Sequence, residues 1–226
     1  GQQSFDQMVA MGTNPNRLSI VGCQHITPSL SAERISSRAK FNVTDNRPLI
    51  LLASNMVTST ERKRFVRHFC EALSEDTQFA TAIRLHPSEN LQFYAKEIRD
   101  FPSITFTEAK KMSQDEALSA ADVVVSRNSS FANEALLKGK FVIIFDVIDA
   151  PLGNASALIE RAHCPYVRDK NELLKTIKCI TSNLEFQEKL RHNAQEFLNY
   201  QFAAFGEQAL DNIMAVIREQ TSVHIN

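Results

Sequence analysis

Glycine-rich phosphate loops are absent from this sequence. Its six glycines in 226 residues never fall in a GxGxxG pattern, so the dinucleotide fingerprint is missing. There is no GxxxxGK(S/T), which argues against a P-loop ATPase, and no GxSxG, which argues against an α/β-hydrolase. No apolar run approaches the roughly 20 residues that cross a bilayer. The opening GQQSFDQMVAMG has neither the charged start nor the apolar stretch of a signal peptide. It begins with Gly1, not Met, and reads as an excised piece of a longer chain. Cysteine is scarce and scattered (Cys23, Cys70, Cys164, Cys179), without CxxC or a Cys/His cluster. Free thiols in a reducing cytoplasm are expected, with no disulfide framework and no metal site. An excess of either charge is also missing: 25 Lys and Arg face 26 Asp and Glu, a net charge of −1. A general basic surface for nucleic acid is therefore not expected, although a local cationic pocket stays open.

What is present suits one large domain. Hydrophobic residues make up 43% of the chain, enough for a sizeable core. Residues 1–47 hold a short helical stretch from Phe5 to Met11, a turn at 12–16, an apolar run from Leu18 and then a polar, Ser- and Arg-rich segment. They read as an interdomain lead-in. From Pro48 to the end, strand and helix alternate. Leu49–Ala53 is a continuous apolar run, as in a strand buried on both faces. Further strands are expected at 79–85, 103–106, 122–126, 141–145 and 166–167. Helices are expected after Thr58 or Ser59, after Ser88 (to about Arg99), after Ser113, after Ser129 or Ser130 (ending at Gly139) and around 154–162. Ser113 and Glu116 form the S-x-x-E of a capping box. Residues 169–219 read as three helices. The alternation predicts an α/β, Rossmann-like, doubly wound parallel sheet with extra C-terminal helices, spanning 48–226.

In such sheets ligands bind at the carboxyl ends of the strands. Two segments there carry candidate chemistry. In Arg84-Leu-His86-Pro87-Ser88-Glu89 the histidine is expected at a strand end. Pro87 and Ser88 are expected to open a helix whose amide groups take an anion. His86 could donate to a phosphate oxygen, or simply hydrogen-bond backbone. In Ser126-Arg127-Asn128-Ser129-Ser130 the hydroxyls and amides of Ser129 and Ser130 could receive a phosphate. Glu134, one turn further on, could accept from two ribose hydroxyls. The plainer alternative is an N-cap followed by a dipole-compensating acid. Arg62-Lys63-Arg64 with Arg67 reads as a solvated helix face, and His68 on that face earns no special role. Asp146 and Asp149 either face the pocket or end a strand. Gly153–Ser156 reads as a loop opening a helix.

Taken together, His86-Pro-Ser-Glu89, the strand Ala121-Asp-Val-Val-Val125, the Ser129-Ser130 turn and Glu134-Ala-Leu-Leu-Lys-Gly-Lys140 resemble the C-terminal domain of GT-B-type glycosyltransferases. Within that group the likeness is to bacterial capsule and surface-polysaccharide sialyl-, polysialyl- and Kdo-transferases with HP and serine motifs. The segment is also similar to CDP-glycerol glycerophosphotransferases and UDP-GlcNAc 2-epimerases. Met11–Gly22 resembles the entry into that domain. The resemblance implies a nucleotide-sugar donor (CMP-, UDP- or CDP-linked) as substrate and no tightly bound cofactor. His86, Pro87, Ser88, Glu89, Arg127, Ser129, Ser130 and Glu134 are the binding candidates. His86 and the two serines would lie at the phosphate, Glu134 at the ribose, with His86 stabilising the leaving phosphate. It further implies a glycan acceptor and catalytic base held by an N-terminal domain that this chain lacks, low activity for the isolated domain, and a cytoplasmic place with the inner membrane face as an option. Phe141 departs from the family's Pro after Gly-Lys, and Arg127-Asn128 from its Gly or Asp-Tyr. A sugar-nucleotide epimerase and a non-catalytic interaction module are the alternatives.

Overall fold

Two helices, α1 (Gln2–Ala10) and α2 (Arg34–Ala39), precede the first strand, β1 (Leu49–Ala53), in the computed structural model. The structure describes residues 1–24, 28, 30, 32–54, 58–128, 130–148, 151–152 and 155–223. After β1 come α3 (Ser59–Leu73), β2 (Ala80–Arg84), α4 (Ala95–Asp100), β3 (Thr105–Thr107), α5 (Gln114–Ala120), β4 (Val123–Ser126), α6 (Ser130–Leu137) and β5 (Phe141–Phe145). Then follow α7 (Ala155–Glu160), β6 (Tyr166–Val167), α8 (Lys170–Ser182), α9 (Leu184–Gln201) and α10 (Gly206–Val223). The six strands pair in the order β3-β2-β1-β4-β5-β6, every pair parallel. This is the α/β, Rossmann-like sheet that the alternation predicts.

The apolar runs explain the layering. Side chains along a strand alternate between faces. Ile50, Leu52, Val123, Val125, Ile143 and Phe145 share one core cluster with α3 and α8 residues such as Phe65, Phe69, Leu173 and Ile177. The intervening Leu51, Val124, Val142 and Ile144 point to the opposite face and are at most 2% exposed, and α6 packs against β4 and β5. Each such side chain contributes roughly 1.5–3 kcal/mol of burial. Helix starts follow their caps. Thr58 with Glu61, and Ser113 with Glu116, close reciprocal capping boxes. Gly139 ends α6 with φ of 71°, which lets Lys140 N–H reach the Ala135 carbonyl at 2.8 Å. All four cysteines are free thiols. Burial pushes the Cys164 thiol up to about 12, so it is a packing group.

The chain divides into two compact units, Leu30–Ala194 and the pairing of 1–29 with 195–226. The larger unit holds the six strands together with residues 30–47. The reason is a set of ties the polar composition hides. Phe41 is 1% exposed. The Arg38 guanidinium donates to the carbonyls of Asp45 (3.0 Å) and Arg47 (2.6 Å) and lies 3.3 Å from the Asp122 carboxylate. Asp122 also takes Arg34 at 2.7 Å and the Leu49 N–H at 2.8 Å. In the smaller unit, the Tyr200 hydroxyl donates to Asp6 at 2.5 Å, and Cys23 N–H donates to the Ala204 carbonyl at 2.9 Å. Among the described residues no helix is long and apolar enough to cross a membrane.

Candidate functional site

The loops after β2 and β4 open on either side of the β1 carboxyl end, because β1 pairs with both strands. Neighbouring strands lie about 4.8 Å apart, so these loops stand roughly 10 Å from each other. Here the chain, having built β2 and β3 to one side, crosses back to start β4 on the other. Open parallel sheets bind ligands at such a switch point.

His86 stands two residues past Arg84, the last residue of β2, so period-two alternation puts it on the same side as Arg84. Its backbone N–H donates to both Ser54 Oγ and Glu89 Oε2, each at 2.6 Å. Its Nδ1 accepts from the Ser88 amide at 3.2 Å and lies 2.9 Å from Ser88 Oγ. With Nδ1 accepting, the neutral ring carries its proton on Nε2. The imidazole is thus oriented as a single N–H donor.

The expected helix from Ser88 to Arg99 is shorter and starts later. Residues 86–89 close as a turn, with Glu89 N–H donating to the His86 carbonyl at 2.8 Å. Asn90 then caps a 3-10 turn at Leu91–Tyr94, and α4 follows. Ser88 therefore opens no helix, and the anion-binding N-terminus expected there is absent. The cause is Glu89, whose side chain is fully enclosed. It accepts from Ser54 Oγ, from the Tyr94 hydroxyl at 2.5 Å and from the His86 amide, and pairs with Arg62 at 3.3 Å. Burial and this carboxylate push the Tyr94 phenol well up. Glu89 braces the loop and does not face the crevice.

A cleft of about 180 Å³ brings the two loops together, lined by Ser54, Arg84, His86, Pro87, Gln114 and Ser130. Pro87 and Ser130 line the same cleft as His86, while Ser129 lies outside the described residues. Ser130 begins α6, whose first-turn amides have no partner within the helix. Glu134 stands beside the cleft, hydrogen-bonded to Gln114 and within Coulombic reach of Arg84 and Lys138. Arg84, which the sequence reading did not single out, donates to the Met112 carbonyl at 3.3 Å and stacks 5.6 Å from the Phe131 ring. Burial draws its guanidinium down from its usual value, and Glu134 opposes that. The signal for Arg84 was its i, i+2 relation to His86. For Gln114, brought in on α5, there was none.

Burial raises the Glu134 carboxyl above its ordinary value, against the pull of Lys138, Gln114 and Arg84. A raised folded-state value means that stability is present at low pH and is lost as the pH rises through the folded value. Glu134→Gln removes that loss. Its thermal midpoint will exceed the parent's at pH 7 and converge on it near pH 4, where both side chains are neutral. An equal or lower midpoint at pH 7 would show that the surrounding cations outweigh the burial.

Arg127 is placed differently from expectation. It is 1% exposed, and its Nε donates to Asp146 Oδ1 at 2.7 Å. Its other nitrogens reach the carbonyls of Pro151 (3.4 Å) and Ile148 (3.5 Å). Asp146 Oδ2 accepts from the Tyr166 hydroxyl at 2.9 Å. The guanidinium staples the loops after β4 and β5 to each other, so Arg127 is not free to reach a phosphate. Asp149, Gly153 and Asn154 lie outside the described residues.

No family model and no curated protein matches the sequence. Solved structures do. UDP-GlcNAc 2-epimerase from Neisseria meningitidis, solved bound to UDP-GlcNAc, is 15% identical over 95% of this chain and 59% of its own, with a TM-score of 0.61. The wall teichoic acid polymerase TagF is 15% identical over 84% and 46%, at 0.56. The chain has the Rossmann-like fold of these proteins. The C-terminal domain of a glycosyl transferase group 1 protein (LpcC) from Francisella tularensis, 14% identical, is matched over 75% of this chain and 92% of its own, at 0.51. The chain spans about half the length of the two larger proteins.

Proposed function

We propose that this chain is the nucleotide-sugar-binding half of a GT-B-type glycosyltransferase acting on a surface polysaccharide or another glycan. The observation that carries this reading is the convergence of the His86 Nε2 donor, the Arg84 cation and the first turn of α6 on one cleft at the switch point. The donor's diphosphate would lie across these groups, with Ser129 and Ser130 at one phosphate and Glu134 toward the ribose. As the bond from sugar to phosphate breaks, negative charge develops on the departing phosphate oxygen. An oriented N–H, a guanidinium and a helix N-terminus stabilise that charge without reorganising. Support for a nucleotide sugar comes from the neighbours, one of which was solved with UDP-GlcNAc and another soaked with CDPG. The acceptor and its base would come from a partner domain closing over the cleft.

An epimerase shares the fold, but it needs acid and base carboxylates. Beside this cleft Glu89 is enclosed and Glu134 is engaged with Gln114. The remaining acid and base carboxylates of such an enzyme would lie mostly outside this segment, so a sugar-nucleotide epimerase is the alternative reading.

Thermal melts with CMP, CDP and UDP test the proposal. A nucleotide at 100 times its Kd adds about 2.7 kcal/mol of stability. Stabilisation by CDP or UDP fits a glycosyl or glycerol phosphate donor, and by CMP alone a sialic-acid or Kdo donor. No shift with any of the three at millimolar concentration sinks the reading.

A further inference from the structure

A second cavity, of about 430 Å³, opens at the carboxyl ends of β5 and β6. It lies roughly 10–15 Å along the same sheet edge from the first cleft, given about 4.8 Å per strand. Its walls are Arg64 and His68 from α3, Asp146 after β5, and the Arg168-Asp169-Lys170 turn that starts α8. Arg64 and His68 are four residues apart, so they share one helix face. The basic run on α3 that read as a solvated surface thus contributes one wall of an enclosure.

The charge in this enclosure is unbalanced. Both acids are already committed. Asp146 holds Arg127 and the Tyr166 hydroxyl. Asp169 caps α8, accepting from the amides of Asn171 (2.8 Å) and Glu172 (3.0 Å). Among the described residues no carboxylate forms an ion pair with Arg64 or Arg168, and Lys170 has only Glu71 at 3.6 Å. Two arginines and an imidazole therefore line one cavity whose two described carboxylates, Asp146 and Asp169, hold other groups. Arginine holds the tetrahedral oxygens of phosphate through paired N–H donors. The volume falls within the roughly 300–1,000 Å³ of pockets that enclose small molecules.

We propose that this cavity binds the phosphate group of a phosphorylated small molecule, clamped between Arg64 and Arg168 with His68 as a further donor. The site is separate from the His86 cleft and does not depend on how that cleft is read. A phosphate-bearing acceptor would reach it along the sheet edge, and so would a free phosphorylated metabolite. The shared chemistry is the phosphate ester.

The test is an amide-resolved NMR titration of the chain with inorganic phosphate and with glucose 6-phosphate, against chloride at matched ionic strength. Saturable shifts of the 168–172 amides with both phosphates, and not with chloride, are expected. Arg168→Glu and Arg64→Glu should each weaken binding by at least about tenfold, the loss of one charged hydrogen bond. Both variants should keep the parent's nucleotide response, whereas His86→Ala should keep the phosphate response. Arg64 is on an exposed helix face, so its variant stays informative if Arg168→Glu unfolds. The proposal is overturned if chloride reproduces the shifts, if only amides near Ser130 move, or if Arg64→Glu binds phosphate as the parent does. Binding of inorganic phosphate with exclusion of glucose 6-phosphate overturns the small-molecule class.

Discussion

Arg127→Leu will melt roughly 6–20 °C below the parent protein. Removing one partner of a buried ion pair strands the other charge, at about 3–5 kcal/mol. Each kcal/mol moves the midpoint of a chain this size by roughly 2–4 °C. Here the stranded group is Asp146, 6% exposed, which keeps the Tyr166 hydroxyl as its side-chain hydrogen-bond partner among the described residues. The double variant Arg127→Leu/Asp146→Leu should recover most of the loss, because a buried pair contributes less than its separation costs. Circular-dichroism melts of the three proteins decide the matter. A drop below about 2 °C for the single variant would mean that the guanidinium is not the staple its 2.7 Å contact with Asp146 indicates.

His86→Ala will remove the nucleotide-dependent stabilisation while leaving the free protein nearly as stable. The ring is half-buried and, among the described residues, bonds within its own turn, so its loss leaves no cavity in the core. A hydrogen bond to a charged phosphate contributes about 1.5–3 kcal/mol, or roughly 10- to 150-fold in affinity. For a 100-fold loss, ligand that gave about 2.7 kcal/mol of stabilisation gives about 0.4. The comparison is made at one nucleotide concentration and one salt concentration. A full shift in the variant would place the nucleotide elsewhere than the switch point.

The sheet was legible because its strands are dense local signals. Leu49–Ala53, residues 123–125 and Phe141–Phe145 are unbroken apolar runs, and Ser113 with Glu116 announces a helix start in four residues. The 86–90 segment was misread because Ser88 and Asn90 are both good caps. What chooses between them is Glu89, drawn inward by Ser54, Tyr94 and Arg62, three residues from separate parts of the chain. Arg127 was ambiguous for the same reason, since its fate depends on Asp146, nineteen positions away. The Arg64 cavity exists only because the α8 turn comes up beside α3, and a charge run read along one helix cannot reveal that. The meeting of His86 and Ser130, in contrast, follows from topology alone once strands are placed, because ligand loops of a parallel sheet share one edge.

The central position of β1 has a consequence for how the protein is made. Within this sheet β1 is the first strand to be synthesised, yet its β4 neighbour, paired through Ile50 and Val123, lies about seventy residues later. At 5–20 residues per second the gap is roughly 4–15 s. Throughout that interval Leu49-Ile-Leu-Leu-Ala53 has at most one side of its backbone ladder filled, and an apolar strand with an open edge is a template for association with other chains. Nascent chains stalled before β4 therefore present an open apolar edge of this sheet, before its cleft exists.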